Sequence, residues 1–299
     1  MAYVMQLIGA WRLIMNEVLK VDGLSKFYGE NKVLDNISFS VYPNEIVGFI
    51  GPNGAGKSTL MKCLSSLINM DEGSVCICGY DLIEQRELAL SMQSSLIENP
   101  GLFLNMTGRE NLDIFAALKN ASKNRRIEME SYTRLGENLN KRVSTYSLGM
   151  KQRLALAIAL LSSPMFLMLD EPMNGLDPSG VFELRNEIKR MVNEENMSLL
   201  ISSHQLNEIE KIADRIIYIE NGKIKELDNT QRKITYQIRV QDNFDLEGFT
   251  KKSDCIYTFS IANDEELDIY LKKLNVKLLD IKNLSDNILE KTYVDIYGE

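Results

Sequence analysis

The segment Gly51-Pro-Asn-Gly-Ala-Gly-Lys-Ser-Thr restricts this chain more than any other feature, because it joins the apolar run EIVGFI directly to LMKCLSSLI at helical spacing. EIVGFI is continuous and too short for a helix, so it reads as a buried strand. A strand, a glycine-rich loop and a helix in that order bring backbone amides and the positive end of a helix dipole to one point, which suits phosphate oxygens. Gly51, Gly54 and Gly56 permit close backbone approach, with Asn53 and Ala55 between them and Thr59 in the helix that follows. Lys57 offers a point charge to the outer phosphates of a nucleoside triphosphate, and the Ser58 hydroxyl is a ligand for Mg²⁺.

Around this loop the chain alternates strands and helices. VLKV and ISFSV read as short strands, with turn material at Asp22-Gly23 and at Gly29-Glu30-Asn31. The strand MFLML, the helix VFELRNEIKRMVNEEN, the strand SLLISS and a last strand RIIYIENGKI follow downstream. This βα alternation predicts an α/β fold with a mostly parallel sheet covered by helices. Residues from about 98 to 163 turn helical and polar, with RENLDIFAALKN and KQRLALAIALLSS as the clearest helices, and read as an inserted helical subdomain. The main domain is expected over residues 15–228. A change of texture follows: KITYQIRV and CIYTFSI look like strands, EELDIYLKKLN and LSDNILEKTYVDIY like helices, so residues 229–299 are expected to form a small α+β accessory domain. Residues 1–14 lack the basic start of a signal peptide and read as an N-terminal extension, or as an over-long reading frame whose true start is Met15.

FLMLDEP supplies two adjacent acids after a buried strand. Asp170, at the strand end, is placed to hold Mg²⁺ through its water shell, and Glu171, one residue on, to polarise an attacking water.

Between the loop and these acids lies YSLGMKQR, in which Ser147, Gly149 and Gln152 fit S-x-G-x-x-Q. This segment resembles the signature motif of ABC-transporter ATPases, and with the loop and acid pair the resemblance spans about Leu19 to Glu226. It implies further roles. Asp177 in NGLDP corresponds to the aspartate of the D-loop, His204 in ISSH, the only histidine, to the switch histidine, and Tyr28 in KFYGE to the aromatic that stacks on adenine. It also implies ATP and Mg²⁺ as cofactors, and a head-to-tail homodimer with ATP clamped between one chain's phosphate loop and the other's signature helix. Opening and closing of that dimer would drive a separately encoded membrane-spanning permease.

The family pattern is broken in SSLIENPGLF. Most members carry a glutamine in the loop that joins the core to the helical subdomain, its amide oxygen reaching Mg²⁺ and the attacking water. Here that position is Glu98, with Gln93 the alternative if the alignment is shifted. A carboxylate binds a hard cation more tightly than an amide does, and it adds negative charge beside a triphosphate. IENPGLF, LNMTGRENL and YSLGMKQRLALA resemble the bacitracin- and lantibiotic-resistance branch, which implies export of, or immunity to, a peptide antibiotic. Asn44, in a turn that usually holds glycine, and Leu148 and Met150 within the signature are further departures, and none removes a chemical group the mechanism needs.

The formal net charge of −8, with Lys and Arg scattered rather than striped, argues against a nucleic-acid partner. It also disfavours the alternative of a soluble ABC ATPase clamping on ribosome or DNA, which usually carries paired ATPase units or a long inserted coiled coil. A phosphate-loop kinase would leave YSLGMKQR without a use. The four cysteines lack paired metal-site spacing and are expected to be reduced and structural, with Cys76 and Cys78 sharing one buried strand face. No run reaches the ~18 to 20 apolar residues that a spanning helix needs, so the chain is not expected to cross a membrane alone. The resemblance implies a cytoplasmic location, peripheral on the inner face of the membrane.

Overall fold

The computed structural model describes residues 16–98, 101–204, 206–227, 234–246, 248–261, 267–272, 274 and 276–283. The N-terminal extension and the expected helix LSDNILEKTYVDIY lie outside them. The chain divides into two units, residues 1–227 and 228–299.

In the first unit the apolar runs become a six-stranded sheet, ordered edge to edge as β10 (Lys223–Leu227), β9 (Arg215–Glu220), β3 (Ile46–Ile50), β8 (Ser198–Ser203), β7 (Phe166–Asp170) and β6 (Gln93–Leu96). Every residue of β3, β7 and β8 is buried, as expected for parallel strands covered on both faces. All neighbours pair in parallel except β10, which folds back on β9. RIIYIENGKI is therefore two strands rather than the one expected. Asn221-Gly222 turns the chain with φ of 50° and 73°, the left-handed pair that a two-residue hairpin requires.

A second, antiparallel sheet orders β2 (Asn31–Val41), β1 (Leu19–Tyr28), β4 (Glu72–Ile77) and β5 (Tyr80–Asp81). Gly29-Glu30 makes its first hairpin, but the expected turn at Asp22-Gly23 is instead a register irregularity inside a continuous β1. Side chains of both sheets share one core with the helix α1 (Lys57–Leu64): Phe39 stacks on Phe49 with ring centroids 6.4 Å apart, and Leu60, Met61 and Leu64 close over them. Phe49 and Phe166 have no exposed surface; burial of each stabilises the fold by about 1.5–3 kcal/mol.

Cys76 and Cys78 do not share the expected buried face. Val75 and Ile77 take the core side of β4, Cys76 is half-buried on the other, and Cys78 is buried past the strand end at φ 49°. All four cysteines are free thiols, and burial pushes the Cys63 thiol up to about 11.

After the short α2 (Arg86–Ser91) and β6, the helical stretch forms α3 (Gly108–Leu118), α4 (Lys123–Tyr132) and α5 (Leu148–Leu160). Thr107 and Glu110 cap α3 reciprocally, each side chain accepting from the other's backbone N–H. The apolar helix α5 is buried from Leu154 to Leu160. Arginines tie α4, α5 and the connection between them to α6 (Pro178–Glu195): Arg125 pairs with Glu195 at 3.2 Å, Arg134 with Glu187 at 3.6 Å and Arg153 with Glu183 at 3.3 Å. The short α7 (Leu206–Glu210) follows β8.

The second unit is an antiparallel sheet ordered β12 (Thr250–Ser253), β13 (Ile256–Ile261), β11 (Ile234–Val240), β14 (Leu278–Asn283), with α8 (Leu267–Lys272). Alternate residues Tyr236, Ile238 and Val240 meet Tyr257, Phe259 and Ile261 in its core, and the Tyr270 ring of α8 stacks on Phe259 at 5.3 Å.

Candidate active site

Parallel pairing brings the functional segments to one end of the six-stranded sheet. Ile50 pairs with Ser203, Asp170 with Ser202, and Leu96 with Leu169. Carried past the strand ends, the same registers set Gly51 level with His204 and Glu98 level with Glu171. Ligands of open α/β sheets bind outside these carboxyl ends. Gln93, by contrast, opens β6 at its amino end, is buried, and donates from Nε2 to the Leu64 carbonyl at 3.0 Å. That leaves Glu98 as the residue at the ligand end.

Gly51 to Thr59 runs from the end of β3 into the first turn of α1. Gly56 sits at φ 107°, a conformation that L side chains rarely adopt, and gives α1 no side-chain cap, so the first-turn amides are left for an anion. Asn53, Gly54, Gly56, Lys57, Ser58 and Thr59 line a cleft with Glu171 on its far side. Ala55 lies in an adjoining cleft with Asn53 and Gly54, beside Asn31, Lys32 and Val33 of the hairpin that begins after Tyr28. Tyr28 is about half exposed, with the Lys26 ammonium 5.6 Å from its ring centroid.

A network joins the charged groups. Lys57 is buried, donates to the Gly51 and Pro52 carbonyls at 2.7 and 3.1 Å, and stands 3.7 Å from Glu171 Oε1. The other carboxylate oxygen of Glu171, Oε2, lies 2.7 Å from His204 Nδ1 and accepts the His204 backbone N–H at 3.3 Å. Asp170 is buried, and its Oδ1 accepts the Ser202 hydroxyl at 2.5 Å. The Ser202 Oγ also accepts the Glu171 N–H at 2.9 Å. Ser202 thus positions both acids. The sequence shows it only as a polar residue two places before His204 on a buried strand; the strand pairing is what gives it a task.

Mg²⁺ is bound characteristically by one or two carboxylates and a hydroxyl, with water and phosphate completing the shell. Asp170 and Ser58 are hard oxygen donors of that kind, and no cluster of three or more His, Cys, Asp or Glu side chains suited to a metal exists among the described residues. The donor set fits a cation shared with a nucleotide rather than a protein cage. Glu98, at φ 59° and mostly exposed, accepts from Lys62 Nζ at 2.5 Å. The carboxylate raises the Lys62 ammonium above the usual lysine range. Lys62 is the second residue that reading the sequence missed, and four-residue spacing from Ser58 along α1 was its only signal.

The signature residues do not join this cleft. Ser147 caps α5, its hydroxyl accepting the Met150 N–H at 3.3 Å, and Gly149 and Gln152 in the first turns of α5 face a pocket lined also by Leu176 and Gly180. Asp177 caps α6 by accepting the Gly180 N–H at 3.2 Å. The segment leading to it packs beside α5, since a Cβ on Gly175 would come within 2.9 Å of Leu148.

A glycine-rich loop between β3 and α1, an acid pair closing β7 and a histidine closing β8 define a phosphate-loop nucleoside triphosphatase. The chain belongs to the ABC transporter ATP-binding proteins, and it is an ATPase subunit of such a transporter. The ABC transporter family matches residues 34–174. An ABC transporter ATP-binding protein of Bacillus subtilis, YhcH, is 37% identical over 301 residues, covering 95% of this chain and 97% of that one. The bacitracin transport ATP-binding protein BcrA of Bacillus licheniformis is 34% identical over 95% of this chain and 98% of its own. The lantibiotic transport ATP-binding protein SrtF of Streptococcus pyogenes is 41% identical over 72% and 93%. Among solved structures, an ATP-binding subunit of an ABC transporter matches with TM-score 0.64 and 30% identity, covering 72% of this chain and 92% of its own.

Proposed function

We propose that this chain binds and hydrolyses ATP as a homodimer on the cytoplasmic face of the membrane, energising a separately encoded permease that exports, or confers immunity to, a peptide antibiotic of the bacitracin or lantibiotic type. The observation that carries the reading is the Lys57–Glu171–His204 cluster at the carboxyl ends of β3, β7 and β8. Similarity to BcrA and SrtF along most of their length supports the antibiotic class. The nucleotide-handling domain is residues 15–228, with the helical subdomain at about 98–163 and an accessory domain at 229–299.

In this reading Tyr28 stacks on adenine, and the loop from Gly51 to Thr59, through Asn53, Gly54, Ala55, Gly56, Lys57 and Ser58, wraps the phosphates. Ser58 and Asp170, with Glu98, hold Mg²⁺, which offsets charge on the phosphate oxygens. Glu171 orients the attacking water and takes its proton as oxygen bonds to the γ-phosphorus and the bond to the ADP oxygen breaks. His204 fixes the Glu171 carboxylate. Ser147, Gly149 and Gln152 come from the second copy, since none of them lines the cleft of its own phosphate loop, and Asp177 lies beside them.

Phe103, Leu104 and Met106, shortly after Glu98, are each more than a third exposed and offer an apolar surface to a hydrophobic partner. No helix among the described residues is long and apolar enough to cross a membrane. Deleting the gene should sensitise its host to bacitracin or a lantibiotic, and the wild-type copy, but not Glu171→Gln, should restore growth. Equal restoration by both would remove the energising role.

A further inference from the structure

Resting on that nucleotide-binding reading, the geometry points to Lys62 as a positioning residue for Glu98: it holds the carboxylate at the end of β6 and cancels its charge until a divalent cation is bound with the nucleotide.

Three observations converge on it. Glu98 and Glu171 stand at the same level past paired parallel strands, so Glu98 adds a third carboxylate, after Asp170 and Glu171, at the end of the sheet where the phosphates would sit. Uncompensated, that charge opposes an anionic ligand whenever no cation is bound. Lys62 lies four residues after Ser58 on α1, on the same helix face, and its ammonium reaches Glu98 Oε1 at 2.5 Å. The pair is partly solvated, with 31% of the Lys62 and 63% of the Glu98 side chain exposed. Exposed pairs of this kind add little to fold stability, so a purely structural purpose is a poor account of it. A carboxylate tethered only by one partly exposed lysine can be handed to a cation.

The consequence is a linkage between Lys62 and the cation. Removing the ammonium should weaken nucleotide binding when Mg²⁺ is absent, because Glu98 then repels the phosphates. It should do little in excess Mg²⁺, where the cation neutralises the same carboxylate. The quantity to measure is the ratio of the affinity for a fluorescent, non-hydrolysable ATP analogue in excess Mg²⁺ to that in EDTA, on the full chain, by fluorescence titration. Lys62→Met should raise this ratio by about threefold or more. Lys62→Arg should restore it to the wild-type value, and in the Glu98→Gln background Lys62→Met should leave it unchanged. Thermal melting of each variant should stay close to wild type.

A ratio unmoved by Lys62→Met, or moved equally with and without Glu98, would overturn the inference while leaving the ATPase reading intact. A wild-type chain that binds the analogue in neither condition would instead overturn that reading. Should Lys62→Met fail to fold, Glu98→Gln alone decides: removing a carboxylate already cancelled by Lys62 should leave binding in EDTA near the wild-type value, the released ammonium being solvated, and a marked strengthening in EDTA would count against the pairing.

Discussion

The phosphate-loop face and the signature face of the first unit are built in opposite ways. At the phosphate loop the polar side chains are already committed to one another, as Lys57 lies against Glu171, Glu171 against His204, and Asp170 against Ser202. At the signature face, Ser147 caps its own helix and Leu148 is nearly half exposed, and neither Ser147, Gly149 nor Gln152 lines the cleft of the phosphate loop. On the proposed reading one face is a preorganised reaction centre, and the other presents a helix N-terminus, capped by Ser147, to the nucleotide of a second copy. A single chain, on that reading, holds two halves of different sites, which a second copy would bring together.

The largest effect expected from breaking this comparison falls on the organised face. Lys57→Ala should reduce ATP binding to background in a fluorescence titration, since it removes the buried cation of the loop; retained affinity would show that the cleft is not the nucleotide site. Next, Glu171→Gln should keep ATP binding but lower turnover by about 10²–10⁴-fold in a phosphate-release assay, the usual worth of a positioned base. On the other face, Ser147→Arg should lower turnover by roughly 10-fold or more while leaving ATP affinity of the isolated chain within about twofold, because the obstruction lies in a half-site completed only by a partner. Mixing Lys57→Ala with Ser147→Arg should recover part of the activity, since one of the two composite sites in the mixed dimer is native. The smallest effect is on stability: Asp177→Ala removes the α6 cap and should cost about 1 kcal/mol, read as a lower midpoint of thermal unfolding.

How much of this was legible in the sequence follows from how tightly each region is constrained. The phosphate loop can be read because chemistry fixes its spacing: glycines where backbone must approach phosphate, then lysine and hydroxyl at the head of a helix. The parallel core can be read because burial on both faces demands continuous apolar runs such as FLML and SLLISS. The antiparallel sheet is less clear, since β1 continues through Asp22-Gly23, where local turn chemistry yields to pairing with β2 and β4. Asn221-Gly222 carries a hairpin signal, and Thr107 with Glu110 a capping signal, and the chain forms both. Ser202 and Lys62 could not be found this way, because their partners lie 32 and 36 residues away and meet them only through strand pairing and helix packing. The second unit shows the limit most clearly: alternation reveals β11 and β13, yet its aromatic core around Phe259 has no spacing that names a chemistry.

The central claim, that ATP joins the two unlike faces of two copies, is tested most directly by the mass of Glu171→Gln in solution, measured by light scattering with Mg²⁺-ATP and with Mg²⁺-ADP. A dimer with ATP and a monomer with ADP is the predicted result. A monomer in both, in a variant shown by titration to bind ATP, would contradict the account.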